Sequence, residues 1–260
     1  MPELPDLEVL AENLNKLTAG KKIKKVAVIK EKPVLPLTPI EFVTFLEGKI
    51  IKSVKRVGKQ QLFTFDDGKT LLLHLMIHGE VFYAKLNERL PAFSVAAFYF
   101  ADKKVLIFKD HTQWLKLRLN TRGESVMDPF TPEFTLQFFR KLIQNKPKQA
   151  VKEILINQEN ITGIGSAYAD EICYNAKIRP ETLAGGLEEK DIKVLFHSTV
   201  DTLKDAVKKI RKGMKGKVTG EYMEHFAVHG KEKGKCPEGH KIETVKVGGR
   251  GSEYCPVCQK

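Results

Sequence analysis

Cysteine is scarce, acids fall short of bases, and no long apolar run is present. Only four cysteines occur among 260 residues; Cys173 stands apart, and the other three lie in the last 25. That clustering argues against the evenly spread disulfide framework of a small secreted protein. No stretch approaches the roughly 18 consecutive apolar residues of a membrane span. The acidic opening also lacks the basic region and apolar core of a signal peptide. The expectation is a cytoplasmic protein without a membrane partner. No internal repeat or low-complexity tract is found.

What is present is base. Lys and Arg number 44 against 32 Asp and Glu, for a net charge of +12 and a pI near 9.4. That balance suits a polyanionic partner such as nucleic acid, although charge alone does not choose it. Half of the excess falls in residues 201–260, with 14 bases against 8 acids. Lys204, Lys208, Lys209, Arg211, Lys212, Lys215 and Lys217 form a run interrupted only by Asp205. A solvated helix face would look the same.

Hydrophobic patterning changes character along the chain. Leu7, Leu10, Leu14 and Leu17 recur at helical spacing until Gly20, which predicts a short amphipathic helix. From Lys22 to about Asn120, KKVAVI, KIIKSVKRV, QLFTF, TLLLHLM, EVFYA, VAAFYF, KVLIF and WLKLRL read as eight short strands separated by turn residues. Such a series suggests a sandwich or barrel. TRGESVMDPFTPE reads as a linker. Beyond it, PEFTLQFFRKLIQ, KQAVKEILIN, SAYADEICYNA and LEEKDIKVLFHSTVDTLKDAVKKIRK carry the period of four helices. QENITGIGS, between the second and third, holds two glycines one residue apart.

Three stretches carry chemistry. Cys236 and His240 are followed by Cys255 and Cys258, with 14 residues between the two pairs. Two close-spaced ligand pairs on a short hairpin can close a tetrahedral zinc site from three thiolates and one imidazole. With all four positions taken by protein, the ion is structural, and in so small a unit it supplies folding energy. Between the pairs, Arg250 sits in GGRGS, where it could reach a phosphate or a base edge; an ordinary surface arginine is the bland alternative. Gly163 and Gly165, just before a helix, could offer backbone N–H groups and a positive helix end to phosphate. The opening MPELPDLE places Pro2 beside Glu3, with Pro5, Asp6 and Glu8 behind. By itself this is a stiffened helix entry with acids at the positive end.

Taken in order, MPELP, a β-rich first half, NQENITGIGSAYADEI and a terminal finger with Arg250 ahead of YCPVCQK resemble the formamidopyrimidine-DNA glycosylase and endonuclease VIII family over nearly the whole chain. The resemblance implies an α+β multidomain fold: an N-terminal catalytic β-sandwich domain with an N-terminal helix (1–125), a linker (126–135), a helix-two-turns-helix DNA-binding domain (136–222) and a zinc finger hairpin (223–260). It implies a monomer in the bacterial cytosol and nucleoid that acts on damaged DNA and carries one structural zinc. Activity would be excision of oxidised bases followed by cleavage at the abasic sugar. Removal of Met1 would leave Pro2 with a secondary amine, whose pKa of about 7.7 to 8.0 lies well below lysine's roughly 10.4. Pro2 would be the nucleophile, Glu3 its acid and base, and Lys59 in KRVGKQQLF a phosphate clamp. Lys152, Gly163, Gly165, Ser166 and Arg250 would face the DNA backbone.

The same resemblance exposes departures. HLMIHG places Ile77 where the family has a wedge methionine. DHTQWL at 110–115 offers Trp114 as a wedge but has Thr112 and Gln113 in place of arginines, which loosens pairing with the base opposite the lesion. Ser166 replaces an asparagine, and Asp6 a glutamate. The segment between Gly213 and His229, which caps flipped 8-oxoguanine in one branch, is short, so oxidised pyrimidines, ring-opened purines or lesions in unpaired DNA fit at least as well. Cys236 and His240 replace two cysteines. A non-catalytic damaged-DNA-binding protein of the same fold is the rival reading. A zinc-ribbon RNA-binding factor explains the tail and charge but not the opening.

Overall fold

Helix α1 (Leu4–Thr18) realises the leucine spacing, with Leu7, Leu10 and Leu14 buried and Leu17 partly so. It ends before Gly20, whose φ of 80° lies in the left-handed region. The computed structural model describes residues 1–85, 89–121, 126–218 and 222–260. Two units are distinguished: Met1–Pro2, Asp6–Glu124 and Arg211–Glu221 form the first, and Glu3–Pro5, Ser125–Ile210 and Tyr222–Lys260 the second.

In the first unit all eight expected strands form: β1 (Ile23–Val28), β2 (Ile51–Val57), β3 (Gln60–Phe65), β4 (Thr70–His74), β5 (Glu80–Lys85), β6 (Ser94–Phe100), β7 (Lys104–Lys109) and β8 (Lys116–Leu119). They make two four-stranded sheets, ordered β1-β6-β7-β5 and β2-β3-β4-β8, with antiparallel neighbours. Alternation in β3 turns Gln61, Phe63 and Phe65 inward. Phe63, Phe65, Leu73 and Leu117 of one sheet share a buried cluster with Val26, Phe98, Leu106 and Phe108 of the other. Each such side chain contributes about 1.5–3 kcal/mol on burial. The result is a β-sandwich closed by α1.

Among the described residues, one α-helix goes unread in the sequence. Between β1 and β2 lies helix α2 (Pro39–Leu46), started by a capping box in which the Glu41 side chain accepts from the Thr38 N–H at 2.8 Å.

In the second unit the four expected helices form as α3 (Leu136–Gln144), α4 (Val151–Ile156), α5 (Ser166–Ala176) and α6 (Glu189–Met214); the last turn of α6, from Arg211, falls in the first unit. Within the expected linker, 122–125 lie outside the described residues, as do 219–221 in the segment before His229. The chain ends in strands β9 (Glu243–Val247) and β10 (Arg250–Tyr254), paired antiparallel across Gly248–Gly249. Both glycines have positive φ, 56° and 77°, as a two-residue hairpin turn of matching twist requires. Among the described residues no helix is long and apolar enough to cross a membrane.

Candidate active site and nucleic-acid interface

Glu3 is buried and held by backbone donors. Only 6% of it is exposed. The N–H groups of Gly165 and Tyr168 donate to its Oε2 at 2.6 and 3.2 Å, and that of Ala167 donates to Oε1 at 3.0 Å. These donors form the N-terminus of α5, where the helix dipole favours an anion. Both glycines of the turn are required by what packs on them. A Cβ on Gly163 (φ 93°) would come 2.9 Å from Leu4 Cβ, and one on Gly165 would overlap the Glu3 carboxylate. The turn is braced by Gln158, which accepts from the Gly163 N–H at 3.0 Å and donates to the Ile164 carbonyl at 2.6 Å. The Leu4 N–H donates to the Gly163 carbonyl at 2.9 Å.

This corrects the expectation for Gly163 and Gly165. Their N–H groups point at Gln158 and Glu3, so the occupant of this helix end is a side chain of the protein itself. Pro2, next to the anchored Glu3, is partly buried. Asp6 lies in the first turn of α1.

In the first unit, Lys59 lies on the turn Gly58–Lys59 between β2 and β3 and is partly buried. Arg56 fixes this turn by donating to Glu8 on α1 at 2.6 Å and to the Gly58 carbonyl at 3.1 Å. His74, at the end of β4, was not singled out from the sequence. Burial, with Lys116 and Lys59 nearby, pushes its imidazole below the ordinary value. Its Nδ1 accepts from the Met76 N–H at 2.9 Å, which places the proton of the neutral ring on Nε2.

The two expected wedges lie on neighbouring loops, because β4 pairs with β8 from Leu71↔Leu119 to His74↔Lys116. Ile77 follows β4 and Trp114 precedes β8; they are 49% and 48% exposed. The rings of His78 and His111 meet between the loops at 4.7 Å. The Trp114 loop is wound around the Asp110 carboxylate, which accepts from the N–H groups of Thr112, Trp114 and Leu115 at 2.8, 2.8 and 2.7 Å. The Thr112 hydroxyl also donates to it, at 2.6 Å. Burial pushes the Asp110 pKa up, but these donors outweigh it and hold the carboxyl below its usual range. Thr112 is thereby turned inward, while Gln113, at φ 58°, lines a cavity of about 370 Å³ with Trp114, Met76, Lys32 and Arg118.

In the second unit the finger assembles as its spacing implied. The ligand atoms of Cys236, His240, Cys255 and Cys258 lie within 4.8 Å of one another. Cys236 Sγ stands 3.8 Å from His240 Nδ1 and 3.9 Å from Cys258 Sγ. Zinc–sulfur bonds of about 2.3 Å in a tetrahedron give edges of about 3.8 Å, so three thiolates and Nδ1 fit one structural zinc. Burial raises the Cys236 thiol, but backbone N–H groups at His240 and Glu238 draw it below its usual range, whereas burial and the neighbouring Cys255 and Cys236 push the Cys258 thiol up. Arg250 is exposed at the first position of β10.

Lys152 departs from its expected place. It is fully buried on α4, and its Nζ donates to Asp170 Oδ1 at 2.7 Å and to the Gly251 carbonyl at 2.9 Å. A side chain so enclosed does not present a cation to DNA. Asp170 also accepts from the Ser252 hydroxyl at 2.6 Å and is bonded to His229 Nδ1 at 3.0 Å. Its neighbour Glu171 accepts from the N–H groups of Ala227, Val228 and His229 at 2.7, 2.8 and 2.9 Å. Asp170, His229 and Glu253 could geometrically hold a cation, but the Lys152 ammonium on Asp170 opposes one. Ser166 is half-buried, its hydroxyl 3.4 Å from the Gly251 carbonyl.

The basic run on α6 is exposed and partly neutralised. Lys209 pairs with Asp205 at 2.7 Å, and Arg211 is bidentate to Glu12 at 2.9 and 2.6 Å. The solvated-face reading accounts for those members.

Fold and site together define a three-part protein: a β-sandwich, a helical unit whose glycine turn precedes α5, and a zinc hairpin. The chain belongs to the formamidopyrimidine-DNA glycosylase family. Family models match in chain order: the formamidopyrimidine-DNA glycosylase N-terminal domain at residues 1–117, its H2TH domain at 126–217, and the zinc finger found in FPG and IleRS at 235–260. The chain is 35% identical to formamidopyrimidine-DNA glycosylase of Listeria innocua over 276 residues, covering all of both chains. It is 32% identical to that of Cytobacillus firmus, again covering all of both. Among solved structures, Lactococcus lactis FPG with FAPY-dG-containing DNA superposes with a TM-score of 0.89 at 30% identity, covering 99% of this chain and 100% of that one. The same organism's Fpg with abasic-site DNA gives 0.89 at 29%, covering 99% of each.

Proposed function

We propose that this protein is a bifunctional DNA glycosylase and abasic-site lyase of base excision repair, working as a cytosolic monomer on damaged DNA. The observation that carries the reading is the Glu3 carboxylate, seated on three N–H groups at the start of α5 and one residue from Pro2. General acid–base catalysis requires such a fixed proton carrier beside the reacting atoms. The relatives named above support the glycosylase step.

With Met1 removed, the neutral Pro2 nitrogen attacks C1′ of the damaged nucleotide and the base departs with a proton. The ring-opened sugar is left as an iminium on proline, permanently positive because the nitrogen is secondary. That electron sink acidifies C2′–H, and loss of this proton expels the 3′ phosphate; a second elimination expels the 5′ phosphate. Glu3 moves the protons, and Lys59 holds phosphate beside the lesion. Ile77 and Trp114 fill the space left by the everted base. Ser166, the helical unit and Arg250 grip the backbone, and the zinc gives the finger its shape. The division at 1–125, 126–135, 136–222 and 223–260 is the working frame for these roles.

The Thr112 hydroxyl turned onto Asp110 favours the second reading, a damage-binding protein without chemistry. A cleavage panel separates the two: oxidised pyrimidine, formamidopyrimidine and 8-oxoguanine, each in duplex and single strands. Strand cleavage at any lesion supports the enzyme. Lesion-dependent binding without cleavage supports the binder.

A further inference from the structure

The Lys152 ammonium and the Arg250 guanidinium, assigned alike to the DNA backbone by resemblance, lie in opposite environments: one fully buried, the other exposed. What joins them is the hairpin. Residues 248 and 251 flank the pair Gly249–Arg250, and they lie against consecutive residues of α4, Gly251 through a hydrogen bond and Gly248 through close approach. Lys152 Nζ donates to the Gly251 carbonyl at 2.9 Å. On the other side, Gly248 lies so close to the next residue of α4 that a Cβ there would come 2.8 Å from Glu153 Oε1. A second hydrogen bond runs to α5, where the Ser252 hydroxyl donates to Asp170 Oδ1 at 2.6 Å, the same oxygen that accepts Lys152 at 2.7 Å. Ser252 and Asp170 are as fully buried as Lys152.

We propose that Lys152 is a positioning residue for Arg250. The buried Lys152–Asp170–Ser252 lock sets where the finger presents its arginine, and Lys152 touches no DNA. The lock also gives two distant parts a common reference, since α5 carries Asp170 in its middle and seats Glu3 on its N-terminus. Position matters because a guanidinium aimed at a phosphate gains its charge-assisted bonds only at short range and with its fork aligned. A hairpin free to drift would keep its charge and lose those bonds. This role rests on the reading of Arg250 as a phosphate contact.

The test uses the zinc-loaded full chain with the substitutions Lys152→Met, Ser252→Ala, Arg250→Ala and the double Lys152→Met/Arg250→Ala. The probe is a duplex containing a tetrahydrofuran abasic-site analogue, together with amide hydrogen exchange of the free protein. Lys152→Met and Arg250→Ala are each expected to raise Kd roughly tenfold, as loss of one charge-assisted bond does, and to lower the salt slope by about one. The double substitution is expected to be no weaker than either single one, because the two act on one contact. In free Lys152→Met protein, amides of 247–252 exchange faster while one zinc is retained, and single-turnover cleavage at saturating DNA keeps its rate.

A fully additive double substitution, an unchanged Kd, or unchanged hairpin exchange would overturn the lock. So would a slowed chemical step at saturation, which would place Lys152 in the chemistry. If Lys152→Met fails to fold, Ser252→Ala is judged by the same exchange measurement, and unchanged exchange again overturns the proposal. If the unsubstituted protein does not bind the probe, the glycosylase reading fails, and hydrogen exchange alone decides whether the lock exists.

Discussion

The Gly165 N–H donates to the Glu3 carboxylate at 2.6 Å, and the missing side chain of the glycine is what admits that carboxylate. Gly165→Ala therefore evicts Glu3 from the start of α5. Base excision in single turnovers should fall by about 10²-fold or more, the low end of what acid–base catalysis supplies. Zinc content should be unchanged. Full activity in this variant would separate the carboxylate's position from the chemistry.

Glu3→Gln keeps the shape and removes the proton carrier. Excision of a damaged base should drop by about 10²–10⁴-fold, whereas covalent trapping on a preformed abasic site, which needs only the amine of Pro2, should persist. Equal loss of both would argue that Glu3 supports structure instead.

Trp114 projects from a loop wound around Asp110, which fixes its backbone before DNA arrives. Trp114→Ala should weaken duplex binding by about 1–3 kcal/mol, the range for one stacked base, with the salt slope unaltered. Because Thr112 is held by Asp110 and no arginine stands in this loop, affinity should vary little with the base opposite the lesion. A strong preference for one opposite base would contradict this placement.

His229 links acidity to stability. Burial pushes its pKa down, but Asp170, Glu253 and Glu3 outweigh this and raise it above the ordinary value. A pKa raised on folding gives stability that is fully present below the unfolded value of about 6.5 and lost as pH rises through the folded one. The Tm advantage of the natural protein over His229→Gln should therefore be largest near pH 6 and shrink toward pH 8. A gap that widens with pH would reverse the assignment.

Zinc removal should act locally. Chelation is expected to unfold residues 235–260, which share a small buried cluster of Tyr174, Val228, Cys236, Ile242 and Cys255, while β-sandwich amides keep their protection. Hydrogen exchange before and after chelation measures both. Retained protection in β9 and β10 would mean the hairpin stands without metal.

Short-range patterns explain why the sandwich and the finger were legible. Alternation marks β3 as half-buried, and four ligands at fixed spacing define a zinc site wherever they occur. The signal for α2 was also local, since TPIE carries both the proline and the capping box, but eight residues within a strand-rich stretch gave too little period to outweigh their neighbours. Glu3 and Gly165 were each visible, yet their pairing joins residues 162 apart, and no local rule encodes it. Lys152 was misplaced for a related reason: among 44 bases its burial shows only in its neighbours Val151, Ile154 and Leu155, and its partners Asp170 and Gly251 come from distant elements. His229 lacked any local signal for the same reason.

Borohydride reduction in the presence of abasic-site DNA, followed by mass spectrometry of the adduct, tests the central claim most directly. The account predicts a covalent protein–DNA adduct on an N-terminal peptide that begins at Pro2, with Met1 absent. No adduct, or an adduct on another amine such as that of Lys59 with Met1 retained, would contradict it.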